Sequence, residues 1–321
     1  MDLFLALGQL ALGLALLIGG AELFTEQAVK AARALRITTL AMGLLFAGAE
    51  PEELFTASIA AWRQAPGIAL GDVIGTNVTI VALALGLAAL IVPIGADRGI
   101  RRHGVITLLV ALPALAFLLW GRVPLWGGVV LVLLYFGYIF QIIYRERLPI
   151  EMAEMSSEKV AAGLANPSPL AKREQFLAVA LVVISLAVMG GGGHFTVEGA
   201  RDLARWLNIT ESSIGLSIVA FATAAEMLFL AVVPALKGHP EISLGGILGS
   251  YAYNATLTLG VAALVRPLLA PEPGLIAVSS LIMVGVLALL LLMLWKGRLG
   301  RLDGAALVLL YGAYLATVFV L

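Results

Sequence analysis

Cysteine is absent from the 321 residues. That excludes disulfides, thiolate metal sites and cysteine nucleophiles, and leaves the redox compartment unread. Charge is scarce: Asp, Glu, Lys and Arg make up 12% of the chain, about half the share carried by soluble domains. Lys plus Arg and Asp plus Glu are equal at 20 each, so net charge says nothing about partners. No basic stretch alternates with aromatic residues, which leaves a nucleic-acid role without support. HExxH, GxSxG, Walker and post-strand GxGxxG arrangements are missing, so no enzyme class is expected. The opening Met1-Asp2 lacks the positive region of a cleavable signal, and the first apolar stretch reads as a retained helix.

What is plentiful is apolar surface, at 61% of residues. A chain whose solvent is lipid has no need to hide it. Runs long enough to span a bilayer recur throughout. They predict ten helices, at roughly 3–29, 38–63, 67–92, 104–120, 124–144, 174–204, 212–236, 241–265, 274–295 and 302–321. One polar connector, rich in Glu, Lys and Arg and containing Asn166-Pro167-Ser168-Pro169, splits them five and five. The expected architecture is therefore an all-α membrane protein of two five-helix units, 1–146 and 174–321, joined by a connector over 147–173.

Loop charge sets the orientation. With helices numbered in order, the odd-to-even connections and adjoining helix ends carry Lys30, Arg33, Arg36, Arg98, Arg101, Arg102, Arg145, Arg147, Lys159, Lys172, Arg173, Lys237, Lys296, Arg298 and Arg301. The opposite side carries only Arg63, Arg122, Arg201, Arg205 and Arg266. The positive-inside rule places the rich side in the cytoplasm and both termini outside, in a multi-pass plasma (inner) membrane.

The halves echo each other. Gly19-Gly20-Ala21-Glu22-Leu23-Phe24-Thr25 recurs as Gly191-Gly192-Gly193-His194-Phe195-Thr196, and Leu35-Arg36-Ile37-Thr38 as Leu207-Asn208-Ile209-Thr210. The longest pair is Pro66-Gly67-Ile68-Ala69-Leu70-Gly71-Asp72-Val73-Ile74-Gly75-Thr76 and Pro240-Glu241-Ile242-Ser243-Leu244-Gly245-Gly246-Ile247-Leu248-Gly249-Ser250. Five helices per half is an odd number, so the second copy must insert upside down. This is the inverted-repeat plan of secondary transporters, with the site where the repeats meet.

Helix 2 contains Gly48-Ala49-Glu50-Pro51-Glu52-Glu53 deep in an apolar segment. A charge at that depth costs at least about 2.5–3.5 kcal/mol. Three demand a polar cavity, a bound cation or carried protons. Pro51 breaks helical hydrogen bonding and frees backbone carbonyls. In helix 7, Glu226 stands alone after Ala222-Thr223-Ala224-Ala225. Beside the paired glycines lie Asp72, Thr76, Asn77 and Thr79 in one half, and Ser250, Tyr251, Tyr253 and Asn254 in the other. Carboxylate, amide and hydroxyl oxygens without thiols suit hard cations such as Na⁺ and Ca²⁺. Glu22, Glu26, His194 and Glu198 fall in helices 1 and 6, and His103 and His239 read as loop residues. Trp120, Trp126 and Trp295 suit interfacial belts.

These paired segments resemble the two alpha repeats of the calcium/cation antiporter superfamily, which includes sodium/calcium and proton/calcium exchangers. The usual repeat reads G-T-S-x-P-E-L, then a helix, then P-x-I-A-x-G-N-x-I-G-S-N-I-x-N. The alpha-1 motif covers about 43–80 and the alpha-2 motif about 215–256. The resemblance implies that Glu53 is the ion-binding glutamate of the first repeat and Thr76 its serine. In the second repeat it implies Ser250 and Asn254 from helix 8 and Thr223 from helix 7. The departures are Met227 at the second glutamate's position with Glu226 one residue earlier, Ala49 and Glu50 for Thr and Ser, Ile80 for an amide, and Asp72, Gly246 and Tyr251 at Asn positions. Whether Glu52 or Glu53 pairs with Glu226 stays open, since successive helical residues point about 100° apart.

The function expected is a secondary cation antiporter exchanging Ca²⁺ or another cation for Na⁺ or H⁺ by alternating access. A channel or uniporter, or a non-transporting relative on the same scaffold, is the alternative. The expected ion site comprises Glu53, Glu52, Glu226, Glu50, Asn254, Ser250, Thr76, Thr223, Asp72 and Asn77, with no cofactor. Inorganic cations and the lipid bilayer are the expected partners, and a monomer the expected state.

Overall fold

The computed structural model describes residues 3–34, 50–96, 98–146, 172–236 and 240–321. Residues 35–49, which include the first twelve of the expected helix 38–63, residues 147–171 of the connector, and His239 lie outside the described residues. Helix α1 runs Leu3–Ala34, α2 Pro51–Trp62, α4 Arg98–Leu119, α5 Leu125–Glu146 and α6 Lys172–Leu207. Between α2 and α4, helix α3 comprises Pro66–Val78, a π-helical stretch Thr79–Ala84 and Leu85–Ile91. Helix α7 spans Glu211–Thr223 and α8 Ala225–Leu236, meeting at a bend of 44°. Helix α9 comprises Pro240–Ala252, a π-helical stretch Tyr253–Thr258 and Leu259–Val265; α10 is Pro273–Leu294 and α11 Arg301–Val320.

Among the described residues, eight helices are long and apolar enough to cross a membrane, or nine with α7 and α8 as one span. Of the expected segment 38–63, residues 38–49 lie outside the described residues and Pro51–Trp62 forms α2. Nothing beyond 3.6-residue periodicity and composition is needed for the rest: each expected span matches a helix to within a few residues, except that α4 starts six residues before the expected 104. That extension corrects the loop reading of His103. It lies inside α4, buried, with Nε2 2.6 Å from Tyr138 Oη of α5.

Four two-residue strands tie the helix ends together. Strand β1, Ile94–Gly95, pairs antiparallel with β4, Arg298–Leu299, at one end. Strand β2, Arg122–Val123, pairs antiparallel with β3, Leu268–Leu269, at the other. Each ribbon joins the segment after one long glycine-bearing helix, α3 or α9, to a tight turn in the other half of the chain. Gly121 and Gly297 make those turns at φ +73° and +88°, where a side chain would be strained.

The centre is built from α2, α3, α7, α8 and α9. Small residues let α3 and α7 approach closely: a Cβ added at Gly71 would come within 2.6 Å of Leu216 N, and one at Gly215 within 3.0 Å of Ile68 Cα. Helices α1 and α6 form a separate antiparallel pair on the flank, of 32 and 36 residues. At 1.5 Å per residue they extend about 48 and 54 Å, longer than the bilayer's apolar core of about 30 Å, so they tilt or protrude. They too meet through glycine, with Gly192 against Gly13 O and Leu17.

Candidate functional site

The carboxylates owe their position to a helix start in mid-segment. Glu50 is not helical, at φ −115° and ψ 81°, and Pro51 opens α2. A residue before proline is pushed out of the helical region, and proline at the first helical position forfeits no hydrogen bond. Glu52 and Glu53 therefore sit in a first turn whose amides have no intrahelical partner, where negative charge is favoured. Glu226 repeats the arrangement in the first turn of α8, just after the break at Ala224.

Glu50 and Glu53 are each 2% exposed, and Glu52 and Asp72 are buried with them. Asn254 of α9 donates from Nδ2 to Glu50 Oε2 at 2.8 Å, while its own Oδ1 accepts from Thr258 Oγ1 at 3.1 Å. Thr223 of α7 donates to Asp72 Oδ1 at 3.1 Å, and its hydroxyl lies 3.3 Å from that of Thr76. Glu50 Oε1, both Glu53 carboxylate oxygens and Asp72 Oδ2 are buried without a hydrogen-bond partner among the described residues. The groups acting electrostatically on this cluster are one another, Glu226, and the neutral side chains of Thr223, Ser250 and Asn254, with no Lys or Arg among them. Buried carboxylate oxygens left without donors are costly, each at about 1–3 kcal/mol or more.

The π-helical stretches matter here. Both begin beside site residues: Thr79–Ala84 follows Thr76 and Asn77, and Tyr253–Thr258 contains Asn254. A third, Gly215–Val219, leads to Thr223 in α7. Such turns shift the register of side chains along a helix and recur at functional sites.

Of the sequence-derived candidates, the structure brings Glu50, Glu53, Asp72, Thr76, Thr223, Ser250 and Asn254 together. Glu53 has Glu50 and Asp72 as its nearest acidic neighbours, and Glu52 has Glu226. Glu226 itself is only half-buried, with Glu50 and Glu22 as neighbours. Asn77 is buried but turned to α10, its Nδ2 3.6 Å from Met283 Sδ. Glu198 belongs to a different structure, a network at the helix ends in which it pairs with Arg63 and Arg201. Among the described residues, no group of three or more His, Asp or Glu side chains is arranged to hold a metal ion.

Met227, which stands at the second glutamate's position in the resembled repeat, is the buried residue of that turn in place of Glu226, and Ser250 Oγ lies 3.6 Å from its Sδ. One contributor escapes a reading of the sequence. Thr258 orients the Asn254 amide; its spacing of four on one helix is the signal, but hydroxyls at that spacing are common.

A family model described as sodium/calcium exchanger protein matches residues 5–144 and 177–320. The chain is 29% identical over 320 residues to the putative antiporter CaxA of Alkalimonas amylolytica, covering 96% of both proteins. It is 27% identical over 352 residues to the sodium/calcium exchanger MaX1 of Methanosarcina acetivorans, covering 97% of both. Solved structures of the sodium-calcium exchanger NCX_Mj, one soaked with 2.5 mM Na⁺ and 1 mM Sr²⁺, superpose with a TM-score of 0.60 at 26% identity, covering 98% of this chain and 99% of that one.

Proposed function

We propose a mechanism from the premise that this chain belongs to the sodium/calcium exchanger protein family and is a multi-pass membrane cation antiporter. The ion seat is the cluster Glu50, Glu53, Asp72 and Asn254, with Thr76, Thr223 and Ser250 as neutral oxygens and Glu52 and Glu226 at its margin. The observation that carries the reading is four buried carboxylate oxygens, from three side chains, without a hydrogen-bond partner among the described residues. Like charges held so close need a neutralising cation or a bound proton. Ca²⁺ or another hard cation fits the oxygen set, and Na⁺ or H⁺ competes for the same carboxylates. Exchange then needs one site exposed to each side in turn. The Glu50–Asn254 bond spans the two halves, so it forms or loosens as the halves shift.

The architecture we infer is ten transmembrane helices in two inverted repeats, 1–146 and 174–321, joined by the 147–173 connector. Support comes from the two strand ribbons, which pair corresponding segments of opposite halves at opposite ends. The π-helical stretches of α3 and α9 add to it, starting 174 residues apart, at Thr79 and Tyr253. Loop charge supports a cytoplasmic β1–β4 end, with both termini outside in an inner or plasma membrane. The test is uptake of labelled Ca²⁺, Na⁺, K⁺ and Mn²⁺ into vesicles holding the purified chain, under imposed Na⁺ and H⁺ gradients. Uphill uptake driven by one of those gradients, with trans-stimulation by unlabelled ion, is the expected result. Flux that only collapses gradients would instead identify a channel or uniporter.

A further inference from the structure

The β1–β4 end of the molecule carries a pocket that ion exchange does not use. It measures about 310 Å³ and is lined by Arg98, Arg101, Arg102 and Val105 of α4, with Leu291 and Trp295. Positions 98, 101, 102 and 105 are spaced i, i+3, i+4 and i+7, so one stripe of α4 presents three guanidinium groups and then a valine. The strand ribbon brings the aromatic wall to them. Gly95 pairs with Arg298, and Ala96 N–H donates to Gly297 O at 3.0 Å, holding the α10–α11 turn against the start of α4. Two turns into α4, Gly104 lets α10 close in, because any Cβ there would strike Leu291. Trp295, capping α10 and 65% exposed, is thereby held beside the arginines.

The arginines break a local rule. The first turns of a helix carry partial positive charge and favour acidic residues, yet three cations occupy the first five positions of α4. Such a violation is expected where function outweighs helix stability. Nor is the pocket purely ionic. Below it, the outer face of α4 continues with exposed Val105, Leu109 and Leu112, an apolar track facing lipid. Phosphate chemistry fits the guanidinium cluster, which binds it in bidentate fashion. A soluble phosphate would leave Trp295 and the α4 track unused.

We propose that this pocket binds an anionic phospholipid, its headgroup phosphate held by Arg98, Arg101 and Arg102, its glycerol beside Trp295 and an acyl chain along Val105, Leu109 and Leu112. Basic pockets between transmembrane helices are suited to such headgroups, each basic contact strengthening binding about fivefold. The inference rests on membrane placement, not on the carboxylate site, so either can fail alone.

The test is a titration of the purified full chain with phosphatidylglycerol and with phosphatidylcholine, bound lipid being counted by native mass spectrometry. Wild type is expected to retain phosphatidylglycerol selectively, and the Arg98→Gln/Arg101→Gln/Arg102→Gln variant to lose affinity on the order of a hundredfold. The control Arg298→Gln/Arg301→Gln removes two charges from the same end outside the pocket and is expected to change affinity less than about threefold. If the triple variant does not purify folded, Arg98→Gln alone is expected to weaken binding about fivefold. Unchanged affinity in the arginine variants, or equal loss in the control, overturns the site. Inorganic phosphate that displaces the lipid at matching concentration also overturns it, by revealing a plain anion site.

Discussion

The two half-sites start from the same local device, a helix beginning in mid-segment with glutamates in its first turn, and arrive at opposite electrostatics. At α2, Glu50, Glu52 and Glu53 are all buried. At α8, the inward residue is Met227, with a thioether where the family resemblance expects a carboxylate, and Glu226 is displaced to the half-buried margin. The second half offers neutral groups instead, Asn254, Ser250 and Thr223. Charge is thus concentrated in one half and its donors in the other. A one-residue offset on a helix rotates a side chain by about 100°, enough to move a carboxylate from the centre of a site to its edge. Asp72, on α3 where an asparagine is usual in the resembled repeat, adds a carboxylate on the first-half side.

That asymmetry orders the expected effects. Glu53→Gln or Glu50→Gln keeps size and removes charge at the centre, and should lower gradient-driven uptake in vesicles by on the order of a hundredfold or more. Asn254→Ala removes the Asn254–Glu50 hydrogen bond between the halves, and should weaken apparent cation affinity about 10–100-fold, the range for residues that orient ligands. Glu226→Gln should cost about tenfold, less than either first-half glutamine variant; equal losses would erase the contrast between the halves. Thr258→Val leaves Asn254 Oδ1 without its donor while Nδ2 still reaches Glu50, and a loss of about threefold in affinity is expected, checked by cation titration at fixed pH.

How much of this was legible beforehand varies by element. Eight of the expected spans were, or nine with α7 and α8 as one, because lipid-facing composition is a strong signal over twenty residues. So were the acidic residues, whose presence at that depth is itself anomalous. The ribbons β1–β4 and β2–β3 were not, being two residues each and defined by partners over a hundred positions away. The choice between Glu52 and Glu53 depends on where α2 begins, and both are buried in its first turn. The one-residue offset at Met227 is legible from the resembled repeat, whereas its burial against a half-buried Glu226 depends on the break at Ala224. His103 reads as a loop residue because Arg98, Gly99, Arg101, Arg102 and Gly104 surround it, whereas α4 starts at Arg98 directly after the ribbon.

Equilibrium binding of Ca²⁺ and Na⁺ to the purified chain, comparing wild type with Glu50→Gln/Glu53→Gln at one pH, bears most directly on the seat of the ion. The account predicts saturable binding in wild type and its loss in the variant, with the helical content of both unchanged. Undiminished binding in a folded variant would contradict it, because the unpartnered oxygens of α2 would then not be what holds the cation.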